Sequence, residues 1–202
     1  MKKRRLTNLN PLLTSSYHYE LPEGLIATHP IHPRDHARLL VYNRTDKSIT
    51  HARFDALESF LPEKCGIIFN DTKVIKARLY GNKESGGAIE LLINRPHDAH
   101  TINVYIRGRV KTETMLIFAN ELTARVIALH DDGSRNVHFY HTDKLIRFEE
   151  LLPILDRVGH IPLPPYLGRE DNSEDEREYQ SVFAAHEGAV AAPTASLHFT
   201  DE

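Results

Sequence analysis

The sequence predicts an α/β core, incomplete within its 202 residues, interrupted by a small inserted β-barrel. Two observations predict it. Between Gly66 and His141, apolar residues recur at every second position in short runs separated by turn residues, a strand-only pattern. On either side, helical spacing alternates with single short strands. A closed barrel also suits the middle segment because it leaves no unpaired edge. The expected division is a first part of the core over 1–65, the barrel over 66–144, and a second, truncated part of the core over 145–202.

In the first part, Leu21, Leu25 and Ile26 predict one apolar side of a short helix beginning near Pro22. Pro30 and Pro33 enforce turns. Arg38–Tyr42 reads as a strand, Asn43–Lys47 as a polar turn, and Ile49, His51 and Arg53 as one face of a returning strand. Phe54, Leu57, Phe60 and Leu61 follow helical spacing, and Pro62 stops that helix.

In the middle part, Gly66–Phe69 reads as a strand and Val74–Tyr80 as another, ended by Gly81. Ser85-Gly86-Gly87 is a tight turn before a strand over Ala88–Ile93. Ile102, Val104 and Ile106 alternate, as do Leu122, Ala124, Val126 and Ala128, and Asp131-Asp132-Gly133 turns the chain toward Val137 and Phe139.

In the third part, Phe148, Leu151, Leu152 and Leu155 have helical spacing, but Pro153 predicts a turn followed by a helix starting near the proline and stopping at Gly159. Ile161-Pro162-Leu163-Pro164-Pro165-Tyr166 must be extended, a rigid crossing. After the acidic block from Glu170 to Glu178, Tyr179, Val182, Phe183 and Ala184 suggest one more helix face.

The composition, 41% hydrophobic and 26% charged, is that of a globular chain, and no apolar run is long enough to span a bilayer. The basic start, Lys2 to Arg5, is not followed by a signal-length apolar run, so a cytoplasmic location with no membrane partner is expected and the start is read as a solvated tail. The formal net charge of -3 argues against bulk attraction to nucleic acid. Residues 71–111 nevertheless hold eight Lys or Arg against four Asp or Glu. That makes Lys73, Lys76, Arg107 and Arg109 candidates for RNA phosphates, with the solvated exterior of a barrel as the competing reading. If Arg107 and Arg109 lie on one strand, they share a face. The one cysteine, Cys65, is read as a buried structural thiol.

Glycine-rich phosphate cradles, HExxH and CxxC are missing from the sequence, and the 13 histidines are scattered, so no metal is expected. Asn70-Asp71-Thr72 follows a predicted strand end, a common place for polar functional groups; taken alone, an Asx turn that satisfies local backbone donors is the favoured reading. Near the end, Thr194, Ser196, His198 and Thr200 alternate with apolar residues, predicting a strand with a polar row in which His198 is suited to proton transfer.

Several blocks resemble the S-adenosylmethionine:tRNA ribosyltransferase-isomerase family of queuosine biosynthesis. They are Tyr19-Glu20-Leu21-Pro22 with Arg34 and Arg38–Val41; Phe69–Ile75 with Ala77-Arg78-Leu79 and Gly81; Ser85-Gly86-Gly87 leading to Glu90; Gly159–Tyr166; Tyr179–Ala184; and Gly188–Thr200. The resemblance runs in family order from about residue 17 onward. It implies a barrel inserted in an α/β core and S-adenosylmethionine as co-substrate. Its ribosyl part passes to 7-aminomethyl-7-deazaguanine in the anticodons of tRNAs for Asp, Asn, His and Tyr, giving epoxyqueuosine, adenine and methionine. His198 and Asp71 are the implied catalytic residues, and Asn70, Thr72, Arg78 and Thr194 the implied co-substrate contacts.

Three departures accompany the resemblance. Ser196 stands where the family pattern has glycine. Thr112-Glu113 stands where the barrel is expected to have a glycine turn. The family also continues well beyond the last residue here, so the expected alternatives are a homo-oligomer, a separate C-terminal half, or a fragment of the enzyme. A noncatalytic tRNA-binding or partner-binding remnant of that enzyme is the alternative.

Overall fold

The computed structural model describes residues 10–22 and 24–201, so the basic run from Lys2 to Arg5 lies outside the described residues. Its architecture is mixed α/β, with a closed six-stranded barrel among smaller sheets and helices. Elements in chain order are β1 (Arg38–Tyr42), β2 (Ile49–Arg53), β3 (Thr72–Val74), β4 (Arg78–Lys83), β5 (Ala88–Pro96), β6 (Thr101–Arg107), β7 (Met115–Ile117), β8 (Leu122–Leu129), β9 (Ser134–His141), β10 (Lys144–Leu145), α1 (Phe148–Val158), α2 (Asp175–Glu178) and β11 (His186–Ala189).

The barrel runs β9-β6-β5-β4-β7-β8 and closes where β8 pairs with β9, every pairing antiparallel. The alternation read from the sequence is the inward face. Leu91, Ile93, Ile102, Val104, Val137 and Phe139 are fully buried in it. Each such side chain contributes on the order of 1.5–3 kcal/mol by leaving water.

Helix α1 adds Leu151, Ile154 and Leu155 to the same apolar cluster. It begins at Phe148, not at the proline: Glu150 accepts a hydrogen bond from the Arg147 N–H at 2.8 Å and fixes the first turn. Pro153 lies inside the helix. Its missing N–H would have bonded the Glu149 carbonyl. Both residues are on the exposed face, where water can serve that carbonyl.

The stretch from Val74 to Tyr80, read from the sequence as one strand, hides a change of partner. β3 pairs in parallel with β11, Ile75 N–H then bonds the Ala189 carbonyl at 2.9 Å, and Ala77 closes a tight turn on Ile75. Only from Arg78 does the chain join the barrel, and it stays there through Gly81 to Lys83. Gly81 is required by close approach rather than as a stop, since a Cβ there would meet the Ile117 carbonyl at 2.4 Å.

Other expectations are corrected. Among the described residues near Pro22 no helix forms, and Leu21, Leu25 and Ile26 are exposed. Residues 66–69 form no strand, and Cys65 is exposed rather than buried. The Phe54–Phe60 helix is 3-10. The last helix lies earlier than its apolar spacing suggested, at α2, and 179–184 unwinds because Ser181 Oγ accepts the Phe183 N–H and the Gln180 side chain turns to Val74. Thr194–His198 is a 3-10 turn, not a strand. Both the N–H and the hydroxyl of Ser196 donate to the Pro193 carbonyl, at 2.9 and 2.8 Å, so local bonds displace a ladder.

Candidate functional site

A cavity of about 460 Å³ opens between the segment Ala27–Arg38, the turn at Tyr166–Arg169, the Glu178–Tyr179 pair and Leu197–His198. That is the size range of small-molecule sites. Ala27, Pro30, Ile31 and Leu197 give apolar wall, and Tyr166 and Tyr179 give aromatic wall.

Two buried carboxylates hold the arginines at its rim. Asp175 takes a two-pronged contact from Arg169, 2.7 Å on each oxygen, and the Arg169 Nε donates to the Thr28 carbonyl at 2.8 Å. The arginine holds the Asp175 carboxyl below the usual range. Glu178 faces Arg34 at 3.3 Å and Arg177 at 3.1 Å, while Arg34 also donates to the Gln180 carbonyl at 3.1 Å. Buried carboxylates of this kind require such partners. The pairs pull the Thr28 loop and the Arg34 turn onto the α2 region, shaping the cavity.

His198 lines this cavity. Burial lowers its pKa, with the Arg34 charge adding in the same direction, so the ring is mostly neutral at pH 7. A neutral imidazole can accept a proton, as a general base must. Behind it, Phe54 lies 5.2 Å away ring to ring, and Phe54, Phe69, Phe183 and Phe199 form one aromatic cluster.

Among the candidate residues from the sequence, only His198 lines the cavity. Asn70 Oδ1 accepts from the Thr72 N–H at 2.8 Å and from its hydroxyl, which is the Asx turn. Asp71 is exposed; its carbonyl accepts from Ala185 and His186 N–H groups, and its carboxylate lies 3.7 Å from the His186 ring. Thr194 is exposed at the start of its 3-10 turn. Phe69, next to the Asn70 turn, and Phe199, next to His198, have rings 5.0 Å apart. Lys73 pairs with Glu187 at 3.4 Å and Lys76 with Glu176 at 2.7 Å. Arg78 donates to the Leu163 carbonyl at 3.0 Å and lies 3.0 Å from Glu90. Arg107 and Arg109 do not share a strand face: β6 ends at Arg107 and Gly108 turns the chain at φ 130°. Among the described residues, no group of three or more His, Cys, Asp or Glu is placed to hold a metal. No helix among them is long and apolar enough to cross a membrane.

A family model described as queuosine biosynthesis protein matches residues 14–202. The chain belongs to that family. Within it, the S-adenosylmethionine:tRNA ribosyltransferase-isomerase of Sulfurimonas denitrificans is 64% identical over 191 residues, covering 95% of this chain and 56% of that protein. The protein of the same name from Nitratiruptor is 57% identical, covering 96% of this chain and 57% of its own length. A solved structure, the S-adenosylmethionine tRNA ribosyltransferase of Thermotoga maritima, is 30% identical with a TM-score of 0.34, covering 74% of this chain and 50% of that one. The chain thus spans little more than half the length of the curated family members it matches.

Arg169, Asp175 and Glu178 were not among the candidate residues. Each is a charged side chain in or beside an acidic, polar stretch that reads as solvated surface. Only the fold reveals that two of those acids are buried.

Proposed function

We propose that this chain acts in the transfer and isomerisation of the ribosyl moiety of S-adenosylmethionine onto 7-aminomethyl-7-deazaguanine in tRNA anticodons, yielding epoxyqueuosine-tRNA, adenine and methionine. The observation that carries this is the match of residues 14–202 to the queuosine family, with 64% identity to a protein named for S-adenosylmethionine:tRNA ribosyl transfer and isomerisation. The tRNAs for Asp, Asn, His and Tyr are the proposed substrates. We take 1–65 with 145–202 as one core and 66–144 as the inserted barrel domain.

The cavity beside His198 is the proposed co-substrate site. Aromatic and apolar walls suit a planar adenine. The sulfonium of bound S-adenosylmethionine acidifies the ribose C5′ protons. His198, held neutral by burial, accepts one of them. Release of adenine and attack by the amine of the modified base follow, and closure of the cyclopentane epoxide releases methionine. Asp71, Asn70 and Thr72 at the start of β3, Thr194 in the terminal turn, and Arg78 at the start of β4 are proposed as further contacts to the co-substrate. Arg107 and Arg109, with Lys73 and Lys76, are proposed to face tRNA phosphates.

Calorimetric titration with S-adenosylmethionine tests the site. Saturable binding is expected, weakened at least tenfold in Ala27→Trp, which fills the cavity from an exposed position. Binding that ignores this substitution would place the co-substrate elsewhere.

A further inference from the structure

A second cleft, of about 390 Å³, lies between the barrel and the crossing from Leu163 to Glu170, adjoining the His198 cavity at Arg169, which lines both. Its floor is a ladder of charge. Arg78 donates to the Leu163 carbonyl at 3.0 Å and lies 3.0 Å from Glu90 Oε1, off the N–H direction, so its buried Nε makes no hydrogen bond. Arg107 stands 3.8 Å from the other Glu90 oxygen, beyond hydrogen-bond distance, with its side chain 88% exposed. Glu90 therefore keeps an open acceptor and Arg107 an open fork. Tyr80, 42% exposed, lines the same cleft and is steadied by an edge contact with His160 at 5.0 Å. Asp171 fixes that histidine at 3.0 Å.

We propose that this cleft seats an unpaired RNA nucleotide. Tyr80 supplies a stacking face for the base, Glu90 accepts from an N–H edge of that base, and Arg107 takes an adjoining phosphate. The assignment rests on tRNA being the partner. It adds Tyr80 and Glu90, and a place, to the phosphate contacts already proposed. Chemistry selects the ligand: a bare phosphate would meet the carboxylates of Glu90 and Glu170 in the same cleft. A nucleotide brings N–H donors for a carboxylate together with an anion for the outer arginine. Stacking on an aromatic ring requires a base that is out of its helix.

The test is fluorescence polarisation with a labelled anticodon stem-loop RNA, titrated at several salt concentrations against the full chain. Tyr80→Ala is expected to weaken binding by about fivefold or more without altering the salt slope, while Tyr80→Phe binds like the parent. Arg107→Ala is expected to weaken binding and flatten the log–log salt slope by about 0.7, the loss of one single-strand phosphate contact. The loop RNA should bind more tightly than a fully paired duplex of equal length. Both side chains are at the surface, so neither substitution threatens the fold. Parental affinity and slope in both variants, equal binding to duplex, or no RNA binding at all overturns the site. If these RNA effects appear but adenine is never released from S-adenosylmethionine, the ribosyl-transfer reading fails and the nucleotide site stands.

Discussion

Gln180 pairs with Val74 as a neighbouring strand would, but through its side chain. The Val74 N–H donates to Gln180 Oε1 at 2.9 Å, and Gln180 Nε2 donates to the Val74 carbonyl at 2.7 Å. The Gln180 carbonyl in turn accepts from Arg34 at the cavity rim. One residue thus fixes both β3 and the wall beside His198. Gln180→Ala leaves two buried backbone groups unmatched and is expected to cost about 2–4 kcal/mol, read as a lower urea midpoint. Gln180→Glu keeps the acceptor but turns a carboxylate oxygen toward the Val74 carbonyl, so it should not restore parental stability. Equal stability of the parent and the alanine variant would contradict this pairing.

Gly159 marks where α1 meets the chain leaving β3. Its φ of -85° suits any residue, yet a Cβ would sit 2.2 Å from the Lys76 carbonyl and 2.7 Å from the Leu155 carbonyl. The requirement is space, not torsion. Gly159→Ala is expected to destabilise by about 1–3 kcal/mol, as overpacking does, and a thermal melt measures it. An unchanged Tm would contradict that close approach.

Much of the barrel was legible because its period is local. Each inward residue of β5, β6, β8 and β9 alternates with an outward one, and a fully enclosed core demands that pattern. The flanks were less legible because tertiary partners decide them. Val74 to Tyr80 reads as one continuous strand, yet one half pairs with β11 and the other with β5. The polar row at Thr194–His198 mimics a strand, yet Pro193 and Ser196 close it into a turn. At the site, His198 was readable as a titratable group in an unusual segment. Glu178 and Asp175 were not, because nothing in an acidic run tells which carboxylates meet Arg34 and Arg169.

The sequence departure at Thr112-Glu113 has a structural counterpart. Glu113 adopts φ 66°, the left-handed region that glycine occupies freely. A non-glycine residue there costs about 1–2 kcal/mol, part of which glycine returns through its own unfolded-state entropy. Glu113→Gly is therefore expected to stabilise by roughly 0.5–1 kcal/mol in chemical denaturation. A destabilising result would contradict the strain.

The depressed pKa of His198 makes a pH prediction. Burial, then Arg34, favours its neutral form in the folded protein. The unfolded chain therefore binds this proton more readily. The stabilising contribution is complete above the ordinary histidine value of about 6.5 and is lost as pH falls below it toward the folded pKa. An NMR titration should place the His198 midpoint below 6.5, and Arg34→Gln should raise it. A midpoint at or above the ordinary value would contradict the assignment of a neutral base.

The most direct measurement is adenine release from S-adenosylmethionine by this chain, with tRNA carrying 7-aminomethyl-7-deazaguanine. The account predicts release that requires the modified base and that His198→Ala abolishes while S-adenosylmethionine still binds. A folded chain that releases no adenine with this tRNA, or releases it equally with unmodified tRNA, would contradict it.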